Sequence, residues 1–546
     1  MEGDNQSVFF AKRIDLGEFG KGSRMLIGDI NGDGRLEMVF VQPDKGFDDR
    51  YFPHKAVCAA AFSLEGEMLW QIGTPDPDAS AVCTDVPAQI YDIDNDGNNE
   101  FLCVFGDEFC IFDGLNGNLK RKWQLPDPSA HDAIIIADLE GRGYAQNIIL
   151  KNRFHQMWAM DANFNLMWTV KGNIGNFPWP YDLDGDSRDE IITGNSVYDG
   201  EGNLVWSVPV SGCINTLNIC DLDRNPSAPQ TIISGGEELC AYSAAGELLW
   251  TVPKVSKVRS VISGNFISSS ALLQFAVLCC LEEKESLVLI DNRGKIITSV
   301  DCTFQNGCSL SVVRNFAKKH GEYILVHPGG IQPASIYDGT LSLLFTAPFN
   351  GRVTVADSTG SGISDLFIYN SERVEIYTLL EHSLQSAALP YAMPQSKALY
   401  NSSIFQSGEA NQSDYQLGYV TGDFSHDALA AWATKCLLGT ADGIDTAISR
   451  ADFTVLLVEA LSLQAYERNN FSDVHPTAYY AKAVGIAKKL GITEGTLGRF
   501  NPNSPMTAEA AVEMIKRTGK ECFLMSDGEL TRRSAAKIVL ELLREE

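Results

Sequence analysis

The chain has 546 residues, of which 45% are hydrophobic and 21% charged, and it carries a formal net charge of −27. This length exceeds what one compact core holds, unless the core is built from repeats. The acidity argues against nucleic acid as a partner, because phosphate binding needs a basic surface. The longest apolar run, at 275–281, is too short to cross a bilayer, so we predict no membrane span.

An acidic ten-residue pattern, which begins as GDINGDGRLE at 28–37, recurs along the chain. Oxygen-bearing side chains occupy alternate positions, and an acid closes the loop. The predicted metal ligands of the three near-complete copies are Asp29, Asn31, Asp33 and Glu37; Asp92, Asp94, Asp96 and Glu100; and Asp182, Asp184, Asp186 and Glu190. Reduced copies begin at 138, 221 and 357, and positions near 265 and 315 keep only the flanking apolar strands. The eight starts are about 47 residues apart on average, which indicates a repeat architecture.

A strand–turn–strand segment that ends in Trp runs in phase with the acidic pattern, as in SVYDGEGNLVWSV at 196–208. Each unit therefore contains four short antiparallel strands, which is typical of one propeller blade. The last unit ends at 374–380 without a fourth strand, and residues 8–16 could supply it and close the ring. The sequence predicts a mainly β fold for residues 1–384, an eight-bladed β-propeller. Seven blades is the alternative, if one degenerate unit is miscounted.

These repeats resemble the FG-GAP and VCBS-type units of integrin α-subunit propellers and of rhamnogalacturonan lyases. Calcium takes about six to eight oxygen ligands, and alternate positions in a tight loop point such ligands inward. We therefore predict that the three near-complete loops bind Ca²⁺ in a structural role. The alternative is a solvated acidic turn, which Asp, Asn and Gly favour in any protein.

The loops that lead into each first strand, and those that join second and third strands, lie opposite the acidic loops on what we call the funnel face. The predicted ligand-binding residues there are Arg24, Arg50, His54, His155, Asn176 and Trp179. Cations and histidines on one face of an otherwise acidic chain favour an anionic ligand, such as a uronic-acid polysaccharide. The alternative is that surface loops carry charges in any protein.

The stretch from DVPAQIYDIDNDG at 85–97, through LKNRFHQMWAMD at 150–161, to GNFPWPYDLDGD at 175–186 resembles the propeller lyases. The resemblance implies β-elimination from a uronate, which needs a cation for the carboxylate, a base and an acid. His131 and Arg153 match positions associated with that chemistry, and topology adds Lys151 and Tyr51 as catalytic candidates. Asn176 stands where the pattern leads us to expect His. A non-catalytic adhesin or carbohydrate-binding protein is therefore the alternative, and a scaffold for protein contacts the second.

The composition changes near residue 385. Residues 385–420, rich in Ser, Gln, Asn and Ala, are predicted to be a linker, and 421–546 have a helical period. The segment 470–517, which opens NFSDVHPTAYY and ends FNPNSPMTAEAAVEMIKR, resembles an S-layer homology repeat with partial copies on either side. The resemblance implies binding of secondary cell-wall polysaccharide through Arg450 and Arg532, whereas the middle copy has Ala508. A helical bundle with a structural or dimerising role is the alternative.

The S-layer homology resemblance implies the cell surface or cell wall of a Gram-positive-type bacterium. The first residues, MEGDNQSVFF, show no signal peptide, and most of the 13 cysteines lie in apolar runs typical of buried free thiols. A cytoplasmic enzyme that acts on oligosaccharides is therefore an open alternative.

Overall fold

A computed structural model describes residues 9–378 and 446–544, apart from short internal segments. These segments are 33–34, 46–54, 80–85, 97, 143, 153, 177, 187, 211, 221, 223–230, 268–272, 305–307, 315–321, 329–331, 357, 359–364, 462, 464, 466–469, 476–477, 479, 497 and 521–527. Five predicted site residues lie outside the described residues: Asp33, Arg50, Tyr51, His54 and Arg153. The predicted linker also lies outside them, so the domain limits stay predictions. The chain divides into two compact parts, one with the strands and one with the helices.

The strands of the described residues, β1 to β32, form eight antiparallel units of four, of which units 1 and 2 share one sheet. Unit 1 is β2 (Arg24–Gly28), β3 (Glu37–Pro43), β4 (Ala56–Ser63) and β5 (Met68–Gly73); unit 2 is β6 (Ala88–Tyr91), β7 (Glu100–Phe105), β8 (Glu108–Asp113) and β9 (Leu119–Gln124). Unit 3 is β10 (Ala133–Ala137), β11 (Asn147–Asn152), β12 (Gln156–Met160) and β13 (Leu166–Lys171); unit 4 is β14 (Trp179–Tyr181), β15 (Glu190–Ile192), β16 (Ser196–Tyr198) and β17 (Leu204–Ser207).

The remaining units follow the same order along the chain. Unit 5 is β18 (Thr216–Cys220), β19 (Thr231–Gly235), β20 (Leu239–Ser243) and β21 (Leu248–Thr251); unit 6 is β22 (Val255–Gly264), β23 (Gln274–Leu281), β24 (Lys284–Asp291) and β25 (Ile296–Asp301). Unit 7 is β26 (Ser309–Arg314), β27 (Glu322–His327), β28 (Ser335–Tyr337) and β29 (Leu343–Thr346); unit 8 is β30 (Arg352–Ala356), β31 (Asp365–Tyr369), β32 (Arg373–Thr378) and β1 (Phe9–Asp15).

The N-terminal strand closes the ring, as the sequence predicts. β1 pairs antiparallel with β32, and Ile14 lies opposite Val374. The first strands of neighbouring units contact one another: β2 contacts β6 and β30, β10 contacts β6 and β14, and β22 and β26 link β18 to β30. This arrangement confirms the predicted mainly β propeller fold. The assignment of one blade to each unit stays a prediction.

Neighbouring units are joined by a tryptophan in one fourth strand and a tight turn in the next unit. The indole N–H of Trp206 donates to the carbonyl of Ala244 at 2.9 Å. The ring lies against Gly246, which has a φ of +83° and where an added Cβ would be 2.7 Å from the indole. Glycine is therefore required there both by the backbone and by the close approach. Equivalent hydrogen bonds run from Trp70 to Gly114, from Trp168 to Gly200 and from Trp250 to Asn292.

The described helices are α1 (Arg450–Ala460), α2 (Ala481–Lys489), α3 (Ala508–Arg517) and α4 (Arg532–Arg544). Their apolar side chains pack into one core, and those of α3 and α4 recur every three or four residues. Three backbone hydrogen bonds form a closed cycle before α1, α3 and α4: Ile448 donates to Leu530, Leu530 to Met506 and Met506 to Ile448, at 2.8, 2.8 and 2.9 Å. The three copies seen in the sequence thus form one pseudo-threefold unit. Among the described residues, no helix has the length and apolarity that a membrane crossing requires.

Candidate functional site

Loops from three successive units meet on the funnel face around His131. His131 precedes β10 of unit 3, Lys55 precedes β4 of unit 1, and Asp107 lies in the turn between β7 and β8 of unit 2. The Lys55 ammonium pairs with the Asp107 carboxylate. Lys55, and to a smaller extent His131, lower the pKa of Asp107. Side chains from units 1, 2 and 3 are therefore close enough to influence one another electrostatically.

The imidazole of His131 is held in its neutral form. The side chain is half-buried, and its Nδ1 has no hydrogen-bond partner among the described residues. Burial and the charge of Lys55 lower the pKa of His131, and the carboxylates of Asp132 and Asp44 offset this only in part. A neutral imidazole near an ammonium can accept a proton at pH 7, which is what a general base must do.

Lys151 lies in the protein interior. Its ammonium pairs with the carboxylate of Asp132, the residue after His131, and both side chains are at most 2% exposed. The Asp132 N–H also donates to the Lys151 carbonyl at 3.0 Å, which extends the pairing of β10 and β11. The Lys151 ammonium is thus not exposed on the surface, and a direct role of Lys151 in catalysis stays a prediction. Its geometry suits the positioning of Asp132.

Four other predicted ligand-binding residues have different environments. Arg24, at the start of β2, is 2% exposed, whereas His155 is exposed in the turn after β11. The Asn176 amide is partly buried and donates to Asn215 Oδ1 at 3.5 Å. Trp179 is 4% exposed and packs in the core between units 4 and 5. The Trp179 indole is thus enclosed by apolar side chains, and its role in ligand binding stays a prediction.

Lys55, Asp107 and Asp132 were not among the predicted site residues. Lys55 ends the long charged loop at 42–55, and this was the available signal. The Asp107 turn is short and ordinary in sequence, and only the packing of unit 2 against unit 1 brings it to Lys55. Asp132 follows the predicted His131 directly, but its ion pair depends on the register of β10 and β11.

On the opposite face, each near-complete acidic loop is closed by a hydrogen bond to its last side chain. Glu37, Glu100 and Glu190 accept from the N–H groups of Ile30, Ile93 and Leu183, at 3.0, 3.0 and 2.7 Å. The first aspartates, Asp29, Asp92 and Asp182, each accept from a backbone N–H three or four residues later. These bonds hold several carboxylates within a small volume.

Two of the loops bring carboxylates close enough to share one cation. Oxygens of Asp92, Asp94 and Asp96 lie within 4.8 Å of one another, as do those of Asp182, Asp184 and Glu190. Burial, with the charges of Asp184, Asp182 and Asp186, raises the pKa of Glu190 to about 7. In the first loop, Asp29, Asn31 and Glu37 are described and Asp33 is not. Crowded hard oxygens of this kind fit a calcium ion, which would relieve their repulsion.

The two predicted arginines of the helical part have different partners. Both begin a helix, α1 for Arg450 and α4 for Arg532, and Ala508 holds the same position in α3. Arg532 Nη2 donates to the Asp452 carboxylate at 3.0 Å. Arg450 Nη2 instead donates to the hydroxyl of Thr493 at 2.8 Å. Each guanidinium keeps one buried nitrogen without a hydrogen-bond partner among the described residues, Nε in Arg450 and Nη1 in Arg532. The two arginines therefore differ in the charge of their partner, a neutral hydroxyl for Arg450 and a carboxylate for Arg532.

Residues 470–511 match the family model of the S-layer homology domain. The chain carries an S-layer homology domain. The chain is also 23% identical over 291 residues to rhamnogalacturonan exolyase YesX of Bacillus subtilis (strain 168), and 23% identical over 292 residues to rhamnogalacturonan endolyase YesW of that strain. Each match covers 41% of this chain and 47% of the relative. The chain thus spans about half the length of the curated relatives it matches.

A solved structure supports the same relationship at the level of fold. The crystal structure of the exotype rhamnogalacturonan lyase YesX aligns with a TM-score of 0.53 and 16% sequence identity, covering 75% of this chain and 78% of that chain. At this identity the likeness concerns the fold alone. The resemblances seen in the sequence, to propeller lyases and to the S-layer homology domain, are both confirmed.

Proposed function

We propose that the strand-rich part recognises an acidic, uronate-containing polysaccharide on its funnel face. The observation that carries this proposal is the convergence of Lys55, Asp107 and His131 from three successive units. The Lys55 ammonium and the His131 imidazole lie on one face of a chain with a net charge of −27, so an anionic ligand that displaces the Asp107 carboxylate from Lys55 would find a cation there. The sequence likeness to rhamnogalacturonan lyases supports the same ligand class.

We further propose that this site cleaves the polymer by β-elimination. The neutral His131 imidazole takes the proton from the carbon next to the uronate carboxylate. The electron pair forms a C=C bond as the C–O bond to the leaving sugar breaks, and the imidazolium returns the proton to that oxygen. Lys55 stabilises the negative charge that develops on the carboxylate. Asp132, held by Lys151, stabilises the imidazolium.

Calcium is the proposed cofactor, in a structural role. The carboxylates of the loop at 182–190 offer a compact set of hard oxygens, and the loop at 29–37 repeats the same spacing. Both loops face away from the funnel, because they join first and second strands. The ions would therefore stabilise the turns of units 1 and 4 and take no part in cleavage.

The helical part is proposed to bind secondary cell-wall polysaccharide and so to hold the protein at the cell surface. The S-layer homology domain at 470–511 supports this location. Arg450 supplies the binding guanidinium, since it is not engaged by a carboxylate of the type that holds Arg532. Its Cζ lies 5.2 Å from the centre of the Phe500 ring, which fixes the plane of the guanidinium.

Binding without cleavage is the second candidate function. It is favoured by the burial of Lys151, which leaves fewer exposed proton-transfer groups on the funnel face than the sequence suggested. The two candidates are separated by incubating the protein with rhamnogalacturonan and following the ultraviolet absorbance of an unsaturated uronate. The lyase proposal expects product from the wild type and from His475→Gln, which changes an exposed histidine of the helical part, and none from His131→Gln. Binding of the same polymer with no product from the wild type would leave only the second candidate.

A further inference from the structure

Lys120 reaches into the acidic loop of its own unit. It lies in β9, at the irregularity where Phe112 pairs with Leu119 and Ile111 pairs with Arg121. Its Nζ is 2.7 Å from Glu100 Oε1, 2.8 Å from Asp94 Oδ2 and 3.6 Å from Asp96 Oδ2. One ammonium thus contacts three carboxylates that the sequence assigned to a calcium ion.

The other units have no charge at this position. The same irregularity between third and fourth strands occurs in units 1 and 3 to 8. The residues in that place are Leu69, Met167, Val205, Leu249, Ile297, Leu344 and Ala11. Met167 shows that the position lies beside the loop-closing residue, because the Asn147 amide contacts its Sδ at 3.3 Å. Lys120 is thus the charged member of a series that is otherwise apolar.

We propose that the Lys120 ammonium is the resident cation of the loop at 92–100, which therefore keeps its structure without a divalent ion. This inference rests on the proposed structural role of calcium, and it restricts calcium binding to the other two near-complete loops, at 29–37 and 182–190. The burial of Glu100 supports the proposal. Only 2% of its side chain is exposed, and a buried carboxylate needs a positive charge nearby, which Lys120 supplies. In the loop at 182–190 the equivalent residue, Val205, supplies none.

The geometry also disfavours a second cation at the same place. A calcium ion shared by Asp92, Asp94 and Asp96 would need oxygens of Asp94 and Asp96, and the ammonium already contacts these two carboxylates. Ion and ammonium would then lie a few ångströms apart and repel each other. Calcium could bind only if the Lys120 side chain moved out of the loop. The ion would then replace the ammonium as the cation beside Glu100.

The test compares Lys120→Met with Lys122→Met in EDTA. Lys122 lies two residues away on the same strand and pairs with Glu108 at a more exposed place, so it is the matched control. We expect the Tm of Lys120→Met to fall by several degrees, that of Lys122→Met to stay near wild type, and Lys120→Met/Glu100→Gln to recover most of the loss. Equal Tm values for the two single variants, or no recovery in the double variant, would overturn the proposal.

Calcium stoichiometry gives an independent readout. In equilibrium dialysis, Asp94→Asn should bind as many calcium ions as the wild type, because the Asp94 carboxylate pairs with Lys120 and does not bind calcium. Loss of one ion in Asp94→Asn would contradict the proposal directly. If the wild type binds no calcium at all, the calcium part of the proposed function fails, and the EDTA comparison still decides the role of Lys120.

Discussion

Asp132 and Lys151 form an ion pair in which both side chains are buried, directly beside His131. The pair joins the residue that leads into β10 to the neighbouring strand β11. Its position fixes a negative charge next to the imidazole that we assign as the base. The pair therefore both stabilises unit 3 and holds the residue next to His131 in place on the funnel face.

Lys151→Met should destabilise the protein strongly, because it leaves Asp132 buried without its cation. Losing one partner of a buried pair costs about 3–5 kcal/mol of unfolding free energy. Urea denaturation measures this, and Asp132→Asn/Lys151→Met should recover part of the loss. Lys45→Met, which removes an exposed pair with Asp76 and Asp78, is the control and should change little. Equal effects of the two lysine variants would show that the Asp132 pair is not a buried one.

His327 should make the protein less stable in acid. Complete burial, with the charges of Arg352 and Arg24, lowers the pKa of His327 to about 3. Its contribution to stability is complete above the unfolded pKa near 6.5 and is lost as the pH falls towards 3, because only the unfolded chain takes up the proton. Between pH 7 and pH 5, His327→Gln should therefore lose roughly 2 kcal/mol less unfolding free energy than the wild type.

Denaturation at the two pH values provides the comparison for His327. The exposed His155→Gln serves as the control and should follow the wild type at both. An identical pH dependence for His327→Gln and the wild type would contradict the burial of that imidazole.

Gly246→Ala should weaken the contact between units 4 and 5. The added methyl group meets the Trp206 ring at 2.7 Å and must also adopt a φ of +83°. We expect a loss of roughly 2–4 kcal/mol of unfolding free energy. Gly106→Ala also has a positive φ, +62°, but nothing lies within 4 Å of its Cβ, so its loss should be limited to the backbone cost of roughly 1–2 kcal/mol. If both variants lost the same unfolding free energy, the Trp206 ring would be able to move away from the added methyl group at no energetic cost, which would contradict this prediction.

Removal of calcium should lower the Tm of the strand-rich part, and added calcium should restore it. The crowded carboxylates of Asp182, Asp184 and Glu190 are the expected cause. Asp184→Asn should reduce the difference between EDTA and calcium, whereas Asp301→Asn, an exposed acid at the end of β25, should leave it unchanged. Differential scanning fluorimetry makes the measurement, and an equal calcium response in both variants would contradict the assignment.

Arg450→Ala should weaken binding to purified cell-wall polysaccharide more than Arg532→Ala does. The loss of one charge-assisted hydrogen bond is worth about tenfold in Kd. Arg532 is already paired with Asp452, so its removal should have the smaller effect. Arg517→Ala, which removes an exposed guanidinium paired with Glu513, controls for charge. A larger effect for Arg532 than for Arg450 would reverse the assignment.

Most of the propeller could be read from the sequence, because its determinants are local and repeated. The spacing of the acids in each loop and the turn before each Trp follow from bonds within a few residues, such as Ile30 to Glu37. The closure by β1 was also predictable, since unit 8 lacked a strand. In unit 3, Phe164 stands at the turn position that is glycine in unit 5, and it has a φ of +63°. Its ring stacks on Trp123 with centroids 5.2 Å apart, and this contact offsets the backbone cost.

The funnel face was less predictable because its contacts join residues far apart in sequence. The pairing of Lys55 with Asp107 depends on how units 1 and 2 pack. Trp179 was assigned to the surface because it follows a loop, but the three-residue strand β14 turns it into the core. Lys120 was overlooked because a charged residue on a fourth strand is normally solvated, and only the strand irregularity aims it at Glu100.

The central claim is that the funnel face recognises the carboxylates of an acidic polysaccharide. Isothermal titration calorimetry with rhamnogalacturonan and with its carboxyl-reduced form tests this most directly, because the two polymers share a sugar framework and differ in charge. We expect the native polymer to bind, the reduced polymer to bind at least about tenfold more weakly, and Lys55→Met to lose most of the difference. Equal affinity for both polymers, or binding of neither, would contradict the account.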